Sequence, residues 1–219
     1  KILMNKSEYT SGEWRMGIGM YGCKNIEISG LEIANTGGDG IYMGSYGTEH
    51  PYCEDIYIKD VICNSCSRNA MCIAAGKNIT ILNCSLINTI NLNEGCAANG
   101  PYNGIDIEAN HNYNCYENIL IKGCYFYNNG REDIAIRGIN LDDDPDISVT
   151  IQDCLFEENV SRESISISNI HDGATGFINI KDCMFKYYAD SVVAVYGFPL
   201  YMNLSVADCV VIDQDSADE

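Results

Sequence analysis

Asn118-Ile119-Leu120-Ile121-Lys122-Gly123-Cys124-Tyr125-Phe126-Tyr127-Asn128-Asn129 is the stretch on which the fold turns. Its skeleton is apolar-x-apolar-x-x-Cys, carried by Ile119, Ile121 and Cys124, and it recurs along the chain. Ile26, Ile28 and Leu31 form one copy; Ile56, Ile58 and Val61 form the next; Ile79, Ile81 and Cys84 precede the quoted stretch. Val149, Ile151 and Cys154, then Ile178, Ile180 and Cys183, then Leu204, Val206 and Cys209 bring the number to seven. The final positions 31, 61, 84, 124, 154, 183 and 209 are separated by 30, 23, 40, 30, 29 and 26 residues. A constant apolar skeleton at such a period, with spacers of variable length, is the mark of a stacked repeat.

A second apolar pair follows each copy after a turn: Ile41 and Met43, Met71 and Ile73, Ile105 and Ile107, Ile134 and Ile136, Ile165 and Ile167, Val193 and Val195. The first member lies ten or eleven residues beyond the ladder slot in every repeat but the third. There the segment from Asn88 to Tyr102 is inserted and the distance is twenty-one. Short strands, glycine or asparagine at the corners and no helical period predict an all-β chain, a solenoid of parallel strands with about seven to eight coils. An antiparallel sandwich would need tight hairpins with regularly alternating flanks, and these are not systematic. Trp14, Met16, Ile18 and Met20 alternate with Arg15, Gly17 and Gly19, the pattern of a half-buried strand at the end of an earlier coil. Residues 1–219 are therefore expected to be one domain, a piece of a longer chain whose preceding coils or cap are missing, because an open coil end exposes unpaired backbone groups.

The 219 residues carry a net charge of −18, which disfavours nucleic acid or an anionic membrane as partner. It weakens a polyanionic sugar too, although a local basic groove can override it. No stretch reaches the roughly 18 apolar residues of a membrane helix. Twelve cysteines first suggest a disulfide scaffold. Cys84, Cys124, Cys154, Cys183 and Cys209, however, share the slot of Leu31 and Val61, so they read as small inward hydrophobes. Cys63, Cys66 and Cys72 are close enough to be weighed as metal ligands, but no second Cys-x-x-Cys or His pair completes a site.

The ladder covers residues 14–212. Together with blocks such as Glu13-Trp14-Arg15, Gly37-Gly38-Asp39-Gly40-Ile41-Tyr42 and Gly104-Ile105-Asp106-Ile107-Glu108, it resembles the single-stranded right-handed parallel β-helix of the pectate-lyase-like superfamily. That group contains pectate lyases, polygalacturonases, other polysaccharide lyases, epimerases and phage tailspikes. The resemblance implies a glycan partner, an oligosaccharide or polysaccharide, a monomer or homotrimer, and a secreted or cell-surface location. Polygalacturonases carry Asn-Thr-Asp, an Asp-Asp pair, Gly-His-Gly and Arg-Ile-Lys on successive coils. Here only Asp39 matches, and the stretch resembling the Asp-Asp segment reads Ala70-Met71-Cys72-Ile73-Ala74.

Side chains alternate across a strand, and neighbouring coils lie about 4.8 Å apart. With Ile105 and Ile107 inward, Gly104, Asp106 and Glu108 face out, beside Asp133, Ala135 and Arg137 of the next coil and Ala70, Cys72 and Ala74 of the one before. Asp106, Glu108, Asp133 and Arg137 are thus the candidate catalytic cluster, with small neighbours leaving room for a ligand. Two carboxylates whose pKa values are driven apart supply an acid and a base, and their reach suits either glycosidase geometry; a surface ion-pair network is the plain alternative. Substrate contacts are expected from Asp39, from Arg68 and Arg131 at one corner, and from the rings of Tyr102, His111 and Tyr113. Arg162 occupies the same corner, and such arginines would neutralise a uronate in a lyase or pair with nearby acids. The run Asp142-Asp143-Asp144-Pro145-Asp146 offers oxygen ligands for calcium, or a solvated turn. Glycoside hydrolysis is slightly favoured over β-elimination, and a glycan-binding or adhesive module, such as a tailspike or surface-fibre segment, is the rival.

Overall fold

A computed structural model describes residues 1–9, 14–89, 100–138, 140–141, 145–157, 163–187 and 190–212. The chain winds as a right-handed parallel β-helix whose coils feed three parallel sheets of eight, seven and seven strands. One sheet is built from longer strands, among them Cys53–Lys59, Gly76–Leu82, Tyr116–Lys122 and Asp146–Gln152. A second is made of strands of two or three residues, such as Ile2–Leu3, Ser85–Ile87, Tyr125–Tyr127 and Leu155–Glu157. The third, which carries the site, runs through Ile18–Tyr21, Ile41–Gly44, Met71–Ile73, Ile105–Glu108, Ile134–Arg137, Ile165–Ser168 and Val193–Tyr196.

The register is the one that the repeat dictates. Ile26 stacks on Ile56, Ile56 on Ile79, Ile79 on Ile119, then Val149, Ile178 and Leu204 in turn. Ile41, Met71, Ile105, Ile134, Ile165 and Val193 form the matching column of the third sheet. Parallel strands buried by their own coil need such continuous apolar columns, since a slip of one residue would turn every side chain over. Phe126, Phe156 and Phe185 stack inside with ring centroids 4.8 and 4.7 Å apart and planes within 10° and 8°.

The residue before each ladder slot makes the first corner. Gly30, Asp60, Asn83, Gly123, Asp153, Asp182 and Asp208 all have positive φ, between 51° and 63°. Glycine meets no Cβ penalty there, and Asn and Asp tolerate the left-handed region better than other residues. The following slot then faces inward, and Cys84, Cys124, Cys154 and Cys183 are buried, as their exchange with Val61 implies. Their thiols point at backbone carbonyls; Cys124 Sγ donates to Lys122 O at 3.5 Å and to Ile81 O at 3.7 Å. Cys63 and Cys66 are buried in the core while Cys72 lies on the outer side, so the three do not converge. The strand expected from Trp14 begins only at Ile18, and Trp14 stands outside it, 72% exposed.

A polar column clamps another corner. Asn78 Nδ2 donates to Asp55 Oδ1 at 2.9 Å, Asn118 Nδ2 donates to Asn78 Oδ1 at 3.0 Å, and Asn118 N donates to Ser148 Oγ at 2.7 Å. Asn118 has a φ of 53°. Asn118→Ala is expected to cost about 1–3 kcal/mol in urea unfolding, from a lost hydrogen bond and the left-handed backbone together. Asn118→Gly should recover the backbone share. Equal losses for the two variants would show that the backbone conformation contributes nothing.

Candidate functional site

The outward side of the third sheet holds the predicted neighbours. Asp106 pairs in register with Cys72 and Ala135, and Glu108 with Arg137. Arg137 Nη1 donates to Asp106 Oδ1 at 2.6 Å, and its Nη2 lies 3.3 Å from Glu132 Oε1. Asp106, Glu108 and Arg137 are thereby brought together; Asp133 is not.

Asp133 is fully buried, and its Oδ1 accepts a hydrogen bond from Asn129 Nδ2 at 2.8 Å. Strict alternation would place it outside, but the chain bends just before the strand. A Cβ on the equivalent Gly104 would stand 2.7 Å from the Phe126 ring, so this slot faces inward like the Ile105 that follows. Two consecutive inward residues reverse the parity. The preceding residue then takes the outer side, which is why Glu132, and not Asp133, meets Arg137.

The same bend recurs in each coil and builds a column that alternation from the strand does not reveal. Asp39, Asn69, Asn103, Glu132 and Glu163 each precede their strand by two residues, and all five are buried. Asn69 joins two carboxylates: its backbone N–H donates to Asp39 Oδ1 at 3.0 Å, and its Nδ2 lies 3.5 Å from Asp106 Oδ2. Asn103 N donates in turn to Asn69 Oδ1 at 3.0 Å. Glu163 accepts from the Tyr196 hydroxyl. A polar residue at a constant offset before each apolar pair is the sequence signal that identifies this column.

Asp39 and Asp106 share a cleft of about 80 Å³ with Arg68, Glu108 and the rings of Trp14 and Tyr42. Arg68 Nε stands 3.9 Å from Asp39 Oδ1. The Tyr42 hydroxyl accepts from Asn110 Nδ2 at 2.8 Å, and burial pushes its pKa up, so it stays protonated. Glu108 also borders a broader depression of about 360 Å³ formed with Arg131, Arg137, Gly100 and Pro101. Arg131 Nε forms a loose ion pair with Glu132 Oε2 at 3.5 Å. The cleft is narrow, and the depression beside it is several times larger.

Asp106 is only 2% exposed. Burial pushes its carboxyl up to about 7, against the opposing pull of Arg137 and helped by Glu108, Asp39 and Glu132. A carboxyl poised near neutrality can hold or release a proton at the site. Cys72 lies in the same cleft, but burial and the nearby carboxylates of Asp39 and Asp106 push its thiol well up, which makes it a poor nucleophile.

The remaining expected contacts lie apart. His111 and Tyr113 stack on each other in the following loop, centroids 5.0 Å apart, and line neither the cleft nor the depression. Asn114 Oδ1 accepts from the N–H groups of Asn110 and His111 at 3.2 and 2.9 Å, and Asn110, not His111, lines the cleft. Tyr102 has a φ of 67° and its carbonyl accepts from Arg131 N at 3.2 Å; its ring lines neither cavity. Arg162, Asp142, Asp143 and Asp144 lie outside the described residues, so the calcium run is not seen whole. Among the described residues no group of three or more metal-ligating side chains converges, and no helix is long and apolar enough to cross a membrane.

No family model matches this chain, and no curated protein matches it. One solved structure is similar, the Siphovirus 9NA tailspike receptor binding domain, at 12% identity with a TM-score of 0.39. The likeness covers all of this chain and 44% of that one. At that distance it says nothing about what this chain binds.

Proposed function

We propose that this β-helix binds a glycan on the outward side of its third sheet, and that its kinship lies with the pectate-lyase-like proteins. The observation that supports this reading is a polar cleft of acceptor carboxylates, Asp39, Asp106 and Glu108, bordered by the exposed ring of Trp14. Sugars present hydroxyl donors at their edges and C–H groups at their faces. Carboxylates placed beside an aromatic ring suit both. Trp14→Ala is expected to weaken oligosaccharide binding by about tenfold or more, the loss of roughly 1.4 kcal/mol of stacking and burial, without altering the melting temperature. Titration calorimetry against the glycan hits of an array measures it, and unchanged affinity would remove Trp14 from the site.

Hydrolysis is the second reading, and the protonatable carboxyl of Asp106 favours it. Asp106 would protonate the glycosidic oxygen, while Asp39 or Glu108, as the ionised partner, would attack the anomeric carbon or activate water. Incubation with the bound glycans separates the two readings. New reducing ends that vanish in Asp106→Asn support cleavage, whereas binding without product leaves a recognition module. Asp133, buried against Asn129, has no place in either reading.

A further inference from the structure

Three guanidinium groups stand around the cleft and the adjoining depression, and each faces a carboxylate of this chain. Arg137 lies against Asp106 at 2.6 Å and Glu132 at 3.3 Å. Arg131 lies against Glu132 at 3.5 Å, and Arg68 against Asp39 at 3.9 Å. With Glu108 included there are four carboxyl groups to three cations, Asp106 being protonated up to about pH 7, inside a chain of net charge −18. Each guanidinium is already neutralised by a carboxylate of this chain, so an arriving anion meets compensated cations and the repulsion of the neighbouring carboxylates. It would also approach against the field of the whole protein. A hydroxyl has the opposite relation to the site, since carboxyl oxygens take its hydrogen bond directly whether or not Asp106 holds its proton.

We infer that the sugar held at this cleft is uncharged, a hydroxyl-donating hexose unit, and that uronic acids and other anionic sugars are rejected. The inference rests on the glycan-binding reading above and narrows it to a substrate class. The arginines then serve to position carboxylates instead of capturing an acidic ligand. Glu132 becomes a specificity-determining residue, because its one carboxylate offsets the charge of both Arg131 and Arg137.

The test is an array of oligosaccharides in matched pairs, each neutral chain beside its uronate counterpart of equal length and linkage, followed by calorimetry on the hits. Neutral members should bind at least about tenfold more tightly than their acidic counterparts. Uronates that bind equally or better would overturn the inference while leaving glycan binding intact. Absence of binding to either class would instead bring down the glycan reading and the inference with it. In Glu132→Gln, verified as folded by its melting curve, the uronate penalty should shrink several-fold. Glu108→Gln, at a half-buried position, serves the same purpose should the buried substitution fail to fold. A ratio unchanged in the folded variant would overturn the electrostatic account.

Discussion

Phe156→Ala is expected to lower the free energy of unfolding by about 3–5 kcal/mol, enough to remove a large part of the stability of an ordinary domain. Phe156 is the middle ring of the internal stack, 4.8 Å from Phe126 and 4.7 Å from Phe185, and is 1% exposed. Its removal leaves a void between coils whose backbones are fixed by parallel hydrogen bonding on both sides, Tyr125–Tyr127 on one and Met184–Lys186 on the other. Those strands cannot close over the gap without breaking register, so the loss should fall toward the high end of that range. Phe156→Leu keeps most of the apolar volume and should cost less than half as much. Urea unfolding followed by far-ultraviolet circular dichroism measures both. A loss below about 1 kcal/mol for the alanine variant would mean that the coils collapse around the void.

The second large effect concerns pH. Asp106 keeps its proton up to about pH 7 in the folded chain, chiefly through burial, whereas an exposed aspartate releases it near pH 4. Between those values the folded state binds more protons than the unfolded one, so stability falls as pH rises. The contribution is complete below about pH 4, declines through the interval and is gone above about pH 7. Three pH units at 1.36 kcal/mol each set an upper bound of about 4 kcal/mol. Asp106→Asn cannot titrate, so the stability of the native chain relative to this variant should grow as pH is lowered from about 8 to about 5. A difference constant across that range would show that Asp106 is ionised throughout, held so by Arg137. Such a result would also withdraw the proton donor from the hydrolytic reading. Glycan binding alone would survive it, since an ionised Asp106 still accepts a hydroxyl.

Both effects trace back to the repeat. The inward columns were legible because burial acts on every coil alike: Ile105, Ile134 and Ile165 have the same neighbours above and below, so each must be apolar. The corner before each ladder slot came from the structure, where Gly30, Asp60, Asn83 and Gly123 supply residue types that accept positive φ. Asp106, Glu108 and Arg137 followed from alternation within a straight strand. Asp133 did not, because the strand begins one residue later and the bend before it turns two successive residues inward.

The loop contacts failed for another reason. His111 and Tyr113 follow the site strand closely in sequence, yet nothing in the period controls where a loop goes once it leaves the coil. Asn114 decides that, through hydrogen bonds to the loop's own N–H groups and to Pro51 O at 3.0 Å. Tyr42 and Trp14 enter the cleft from coils that are distant in sequence and adjacent in space.

The sequence by itself determined the winding, its register, the inward thiols and the face on which the outward carboxylates lie, because a 4.8 Å stack repeats one environment and so writes one pattern many times. Only the tertiary structure decided which acids meet at the cleft, that Glu132 replaces Asp133 beside Arg137, and that Asn69 joins Asp39 to Asp106. Those choices are made at a bend and between coils, where direction depends on backbone geometry that no periodicity of residue types encodes.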